Sequence, residues 1–158
     1  MKKTVLTIIS TLTFITIANA NSDLRMKGFH HDMPFDEACK IMSTFETDRG
    51  DFLISKKEKK CGFGRNEFIS YPYITGRENS NNVEMIVLSP DVVNNLFDAK
   101  KLKVNKFSKL FLDRYNWIDT YRTTGTYRQE SLEHGWKLSI SRKKWLEIKF
   151  FERSSEVN

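Results

Sequence analysis

Reaction chemistry is what this sequence has least of. It contains no G-x-S-x-G, no H-E-x-x-H and no Cys-His pair at a telling spacing, which removes the common hydrolase and zinc-protease signatures. Its 158 residues include only three histidines, two cysteines and three prolines. Cys39 and Cys61 stand apart and have no histidine cluster beside them, so they do not form a zinc site. No metal and no cofactor is expected. Cys61-Gly62-Phe63-Gly64-Arg65 is not a phosphate loop, because no Lys-Ser/Thr follows to open a helix. Asp and Glu are plentiful, but no two are singled out as a buried pair. Beyond residue 20 nothing is apolar enough to cross a bilayer, which takes about 20 residues.

What is present begins with an address. Lys2 and Lys3 precede an uncharged apolar run, Val5 to Ile17, and Ala18-Asn19-Ala20 places small residues where a signal peptidase reads. The sequence therefore predicts a signal peptide over 1–20, cleaved between Ala20 and Asn21, and a periplasmic or secreted product. The short basic n-region is bacterial in style. The chain carries a formal net charge of +6, and losing Lys2 and Lys3 makes that milder still. Such a charge suits anionic envelope surfaces and does not compel nucleic acid as a partner. In an oxidising compartment two cysteines are most simply a disulfide, so Cys39 and Cys61 are expected to pair.

The rest reads as one α+β domain over 21–152, with a loose tail over 153–158. A short strand is expected around Leu24 to Gly28. Asp32-Met33-Pro34 opens a helix whose stripe is Phe35, Ala38, Ile41, Met42 and Phe45. Short strands follow at Phe52 to Ser55, Cys61 to Arg65, Glu67 to Tyr73 and Val83 to Leu88. The third is read with Glu67, Ile69, Tyr71 and Tyr73 on one face, and Pro72 places it at an edge or near its end. Ser89-Pro90-Asp91 opens a second helix. A third, from about Asn105 to Trp117, carries Phe107, Leu110, Phe111, Tyr115 and Ile118 on one stripe and is expected to organise the fold. Tyr121 to Leu132, Trp136 to Ser141 and Leu146 to Phe150 complete an antiparallel meander. The last two alternate cleanly: Trp136, Leu138 and Ile140, then Leu146, Ile148 and Phe150. Two halves emerge, about 28–88 and 89–152, each a helix and then three short strands. Helices of this kind pack on one face of an antiparallel sheet.

Gly28-x-x-x-x-Met33-Pro34-x-x-Glu37-Ala38 followed by a strand meander resembles the small exported modules of the SmpA/OmlA outer-membrane assembly family. Two such halves in tandem resemble the β-lactamase-inhibitor-protein architecture. The resemblance implies a helix-on-sheet fold and a protein-binding role. The chain departs from the first family in having no cysteine at the cleavage point to carry lipid, and no inhibitory motif of the second is present.

Candidate sites are few. Trp145 and Phe151 lie opposite Leu146, Ile148 and Phe150, and with Tyr121, Tyr127 and Trp136 they are the candidate partner-contact aromatics. His30, His31 and His134 are the residues a small periplasmic hydrolase would use, yet adjacent His30 and His31 point apart on ordinary backbone. Cys61 beside Arg65 reads either as a reactive thiolate or as half of a disulfide, with glycines allowing close backbone approach. Three basic runs, Lys56 to Lys60, Lys100 to Lys109 and Arg142 to Lys144, read as solvated turns or as a surface for an anionic partner. The preferred function is an exported, non-catalytic protein-binding module, in one form an inhibitor or immunity-type protein, that contacts an envelope or secreted protein. The alternatives are the hydrolase and a structural envelope accessory protein.

Overall fold

The computed structural model describes residues 25–114, 121–123, 126–131 and 135–151; side chains are described over 26–111 and 135–151. The expected signal peptide and tail lie outside these residues, as do Tyr115, Trp117, Ile118 and His134.

The first described element is a hairpin, β1 (Arg25–Met26) and β2 (Phe29–His30). Lys27 and Gly28 make its turn with φ of 51° and 92°. Two successive positive φ values are what a two-residue hairpin loop of matching twist requires. The strand expected through Gly28 therefore stops at Met26. Met26 and Phe29, paired across the hairpin, are both buried.

Helix α1 (Phe35–Ser43) follows, with Pro34 just outside it and Asp36 and Glu37 in the first turn, where the helix dipole favours acids. Thr44 ends it, its backbone N–H and hydroxyl both donating to Ile41 O. Phe35, Ala38, Cys39 and Met42 are buried beneath it, and Ile41 and Phe45 pack at the margin. The expected stripe is thus present, with Cys39 drawn into it by its bond to Cys61.

Eight strands form one antiparallel sheet: β3 (Asp51–Ser55), β4 (Lys60–Arg65), β5 (Phe68–Gly76), β6 (Val83–Leu88), β7 (Tyr121–Thr123), β8 (Thr126–Ser131), β9 (Trp136–Ser141) and β10 (Leu146–Phe150). Their order is β3-β4-β5-β6-β10-β9-β8-β7. Each half is a four-strand meander, and the last strand of each meets the other at the centre, Leu88 opposite Leu146 and Ile86 opposite Ile148. The four strands of the first half answer to the four expected there one by one; the second half has four where three were expected. In the second half, Tyr121 to Leu132 is two strands, because Thr123 pairs with Thr126 and folds the segment back on itself.

One face of the sheet is the core. Phe63, Ile74, Ile86, Leu88, Leu138, Ile140, Leu146, Ile148 and Phe150 are buried there. Helix α1 lies against β4 and β5. Helix α2 (Pro90–Leu96) buries Val92 and Val93. Helix α3 (Val104–Arg114) enters the core through Phe107 and Phe111, which meet Phe97 ring to ring at 5.8 and 5.3 Å. Leu110 departs from its expected stripe and is half exposed. Its neighbour Ser108 is buried instead, so α3 docks along a narrower line than its apolar pattern suggests. The organising element is the sheet centre, not α3.

Two lysines close the loops. Lys59 Nζ donates to the carbonyls of Arg77, Glu78 and Ser80 at 2.9 to 3.0 Å, holding the β5–β6 connection. Lys144 Nζ donates to Asn94 Oδ1, Ala99 O and Leu102 O, holding the connection between α2 and α3. Both residues adopt positive φ, 43° and 63°, an uncommon conformation kept in place by the surrounding bonds. Two of the three basic runs therefore each place one lysine inside the structure. In the third, Lys100, Lys101, Lys103, Lys106 and Lys109 are exposed, as solvated turns should be.

An aromatic slot on the open sheet face

Strand β5 decides the face opposite the helices. Its entry is a two-residue turn, Asn66 and Glu67, with φ of 52° and 65°. Glu67 is thus a turn residue and not part of the strand face on which it was expected. Gly64 pairs with Ile69 and Gly62 with Tyr73, so β5 takes four steps where β4 takes two. The surplus is a bulge that contains Pro72, before β6 begins pairing at Tyr73. A proline is tolerated there because its missing N–H breaks no ladder bond. Ile69 and Tyr73 pair with Gly64 and Gly62, which share a face of β4, so the bulge keeps the alternation and Ile74 turns to the helix side. The expected face of Ile69, Tyr71 and Tyr73 is therefore present without Glu67, with Ile69 buried, Tyr73 half-buried and Tyr71 exposed.

Gly62 makes the close approach possible. A Cβ there would run into Pro72 O and the Cα and Cβ of Tyr73. The glycine pair is thus a seat for the bulge. Cys61 is bonded to Cys39, which removes the reactive-thiolate reading.

From this strand a ladder of rings and charges crosses the open face. Lys60 Nζ sits 4.4 Å from the Tyr73 ring centre. Tyr73 and Tyr71 lie 5.2 Å apart, and Tyr71 meets Trp145 edge-on at 4.8 Å. The Arg49 guanidinium stands 5.5 Å from the Trp145 ring and donates through Nε to Asp91 Oδ1 at 2.8 Å. Thr47 Oγ1 donates to the other oxygen at 2.6 Å. Partial burial pushes the Asp91 carboxyl up, but the bonds from Thr47 and Arg49 outweigh it and hold Asp91 below its ordinary value. Tyr73 moves the other way: burial, then the nearby Tyr71 and Glu147, push its phenol up.

Below these rings is a shallow slot of about 310 Å³, lined by Tyr71, Tyr73, Val87, Ser139, Ser141, Trp145 and Glu147. Its base is a cross-strand row, Gly62–Tyr73–Val87–Glu147–Ser139, one residue from each of five neighbouring strands. No protein-family model, curated protein or solved structure matches this chain. The site is therefore read from its own geometry.

The expected contact aromatics fare unequally. Trp145 is in the slot. Trp136 is buried on the helix side, as its alternation with Leu138 and Ile140 dictates, and is not a surface contact. Phe151 is half-buried outside the slot, 5.9 Å from Lys149 Nζ. Tyr121 and Tyr127 sit in β7 and β8, and their side chains lie outside the described residues. Sequence reasoning missed Tyr71, Tyr73, Arg49, Lys60 and Glu147. The signal for the tyrosines was the alternation that puts them on one face with Ile69.

The histidines belong to a different structure. His31 is buried, and its Nε2 donates toward Gly135 O at 3.1 Å and Phe151 O at 3.2 Å. Its Nδ1 lies 2.8 Å from Asp32, and its ring meets Phe150 edge-on. His30 Nδ1 donates to His31 O. This clasp ties the β2–α1 connection to both ends of the β9–β10 hairpin. Among the described residues no group of three or more His, Cys, Asp or Glu could hold a metal. Among them, too, no helix is long and apolar enough to cross a membrane.

Proposed function

We propose that this chain is an exported, non-catalytic protein-binding module that grips an envelope or secreted protein through the open face of its sheet, in one form as an inhibitor or immunity-type protein. The observation that carries this is the Tyr71–Tyr73–Trp145 cluster, two rings on β5 and one at the β9–β10 turn, on the sheet face opposite the helices. Large aromatics with a polar edge concentrate binding energy at protein interfaces. The disulfide is compatible with an oxidising compartment and so with export.

A photo-crosslinking amino acid placed at Ser139, beside the slot, and at Lys109 on the exposed side of α3 tests this in the native envelope. One protein is expected to crosslink from Ser139 and not from Lys109. Once that partner is purified, Tyr71→Ala and Trp145→Ala should each weaken its binding more than about tenfold, with far-UV circular dichroism unchanged. Equal crosslinking from both positions, or undiminished affinity in both variants, would refute the proposal.

A further inference from the structure

The slot has a chemical preference. We infer that it receives one positively charged side chain, arginine or lysine, from the partner; the inference rests on the binding role proposed above. Glu147 is the first reason. It lines the slot and is exposed, and it makes no ion pair among the described residues. A carboxylate at the base of a slot walled by three π-systems is complementary to a cation. The rings supply the second reason, because two of them already hold a cation of the chain itself. Lys60, which also donates to Ile69 O, lies over Tyr73, and Arg49 lies over Trp145, so the rings already accept cations as neighbours. Neither of these cations lines the slot, and Arg49 is matched by Asp91.

Competing ligand chemistries fit less well. An anion would meet the Glu147 carboxylate. A sugar ring needs a flat, open aromatic platform, but Lys60 and Arg49 cover faces of Tyr73 and Trp145. The rings also cross at 40° and 73°. A cation needs no parallel stacking, only ring faces or hydroxyl oxygens nearby. Ser139 and Ser141 add hydroxyl acceptors on the far wall. The serines carry no charge and the Tyr73 phenol is neutral at neutral pH, so the slot's own charge is Glu147.

The full chain, isotope-labelled, can be titrated with N-acetyl-arginine amide, N-acetyl-lysine amide, N-acetyl-glutamate amide and glucose. The readouts are the Trp145 indole N–H and the Val87 methyl resonances, with Trp145→Phe confirming the assignment. The two cationic probes are expected to shift both signals saturably. Glu147→Gln should weaken that binding about three- to fivefold, the range for one partly exposed charge contact. Glu84→Gln, a carboxylate on β6 outside the slot, should leave it unchanged. Tyr73→Phe should retain it, and Tyr73→Leu should lose it. The inference is overturned if glucose or the glutamate probe binds in preference, if no probe binds, or if Glu147→Gln matches the wild type. A chain that loses its partner in Tyr71→Ala yet ignores both cations refutes the cationic anchor alone. A chain that keeps its partner in Tyr71→Ala and Trp145→Ala refutes the sheet-face role, whatever the probes do.

Discussion

Lys143 and Lys144 are neighbours in one turn, and the same substitution at each should have opposite consequences. Lys143 is exposed. Lys144 Nζ reaches three acceptors, Asn94 Oδ1 on α2 and Ala99 O and Leu102 O on the connection between α2 and α3. Methionine keeps most of the apolar stem and deletes the ammonium. A hydrogen bond to a charged group contributes about 1.5–3 kcal/mol. The acceptors are only partly buried, so water recovers some of what three bonds supply. The expected net loss for Lys144→Met is therefore about 2 kcal/mol, or one such bond, while Lys143→Met should change stability by less than about 0.5 kcal/mol. For a domain of this size 1 kcal/mol moves Tm by about 4 °C, so the two variants should melt about 8 °C apart. Lys144→Gly should fall between them. It loses the same bonds but relieves a positive φ that costs a side chain roughly 1 kcal/mol. Thermal and urea unfolding of the three variants measure this. Equal midpoints for Lys143→Met and Lys144→Met would show that the carbonyl nest contributes nothing.

Three further outcomes are expected. Removing the disulfide as Cys39→Ala with Cys61→Ala frees a loop of sequence separation 22, which on the chain-entropy model costs about 3 kcal/mol; urea midpoints that match the oxidised wild type would contradict it. Gly62→Ala should cost more than about 3 kcal/mol or prevent folding, since its methyl would occupy the space of Pro72 O and Tyr73; a well-folded variant with unchanged Tm would show that β4 and β5 can separate freely. Asp91→Asn should cost about 1 kcal/mol at neutral pH, the pair with Arg49 being partly screened by solvent. The folded state holds this carboxyl below its ordinary value. The stabilisation it gives is therefore complete above the unfolded carboxylate range, about pH 4, and disappears as pH falls through the lower folded value. The gap between wild type and Asp91→Asn should close in that acid window; a gap that instead widens would reverse the assigned shift.

Much of the architecture is decided locally and is legible in the chain. Trp136, Leu138 and Ile140, and then Leu146, Ile148 and Phe150, alternate with polar residues, and all six are buried. A period of two has one reading when one face meets a core. Phe35, Ala38 and Met42 face inward for the same reason at helical spacing. Cys39 and Cys61 have no other cysteine to choose. Trp136 was legible too, since its alternation already placed it inside.

Other features depend on pairings between distant residues. The β5 bulge that carries Pro72 between Tyr71 and Tyr73 exists only in the pairing with β4, where Gly62 leaves room for Pro72 and Tyr73. Lys59 and Lys144 look like their solvated neighbours until the carbonyls they reach are in place. The slot draws on β5, β6, β9 and β10, and it closes only when Val87 stands opposite both Tyr73 and Glu147. By itself the sequence determined which side chains turn inward along each regular element and that the cysteines pair, because those follow from periodicity and count. The tertiary structure alone decided strand order, register and the convergence of Tyr71, Tyr73, Trp145 and Glu147, because register is set by many weak contacts between segments far apart in the chain.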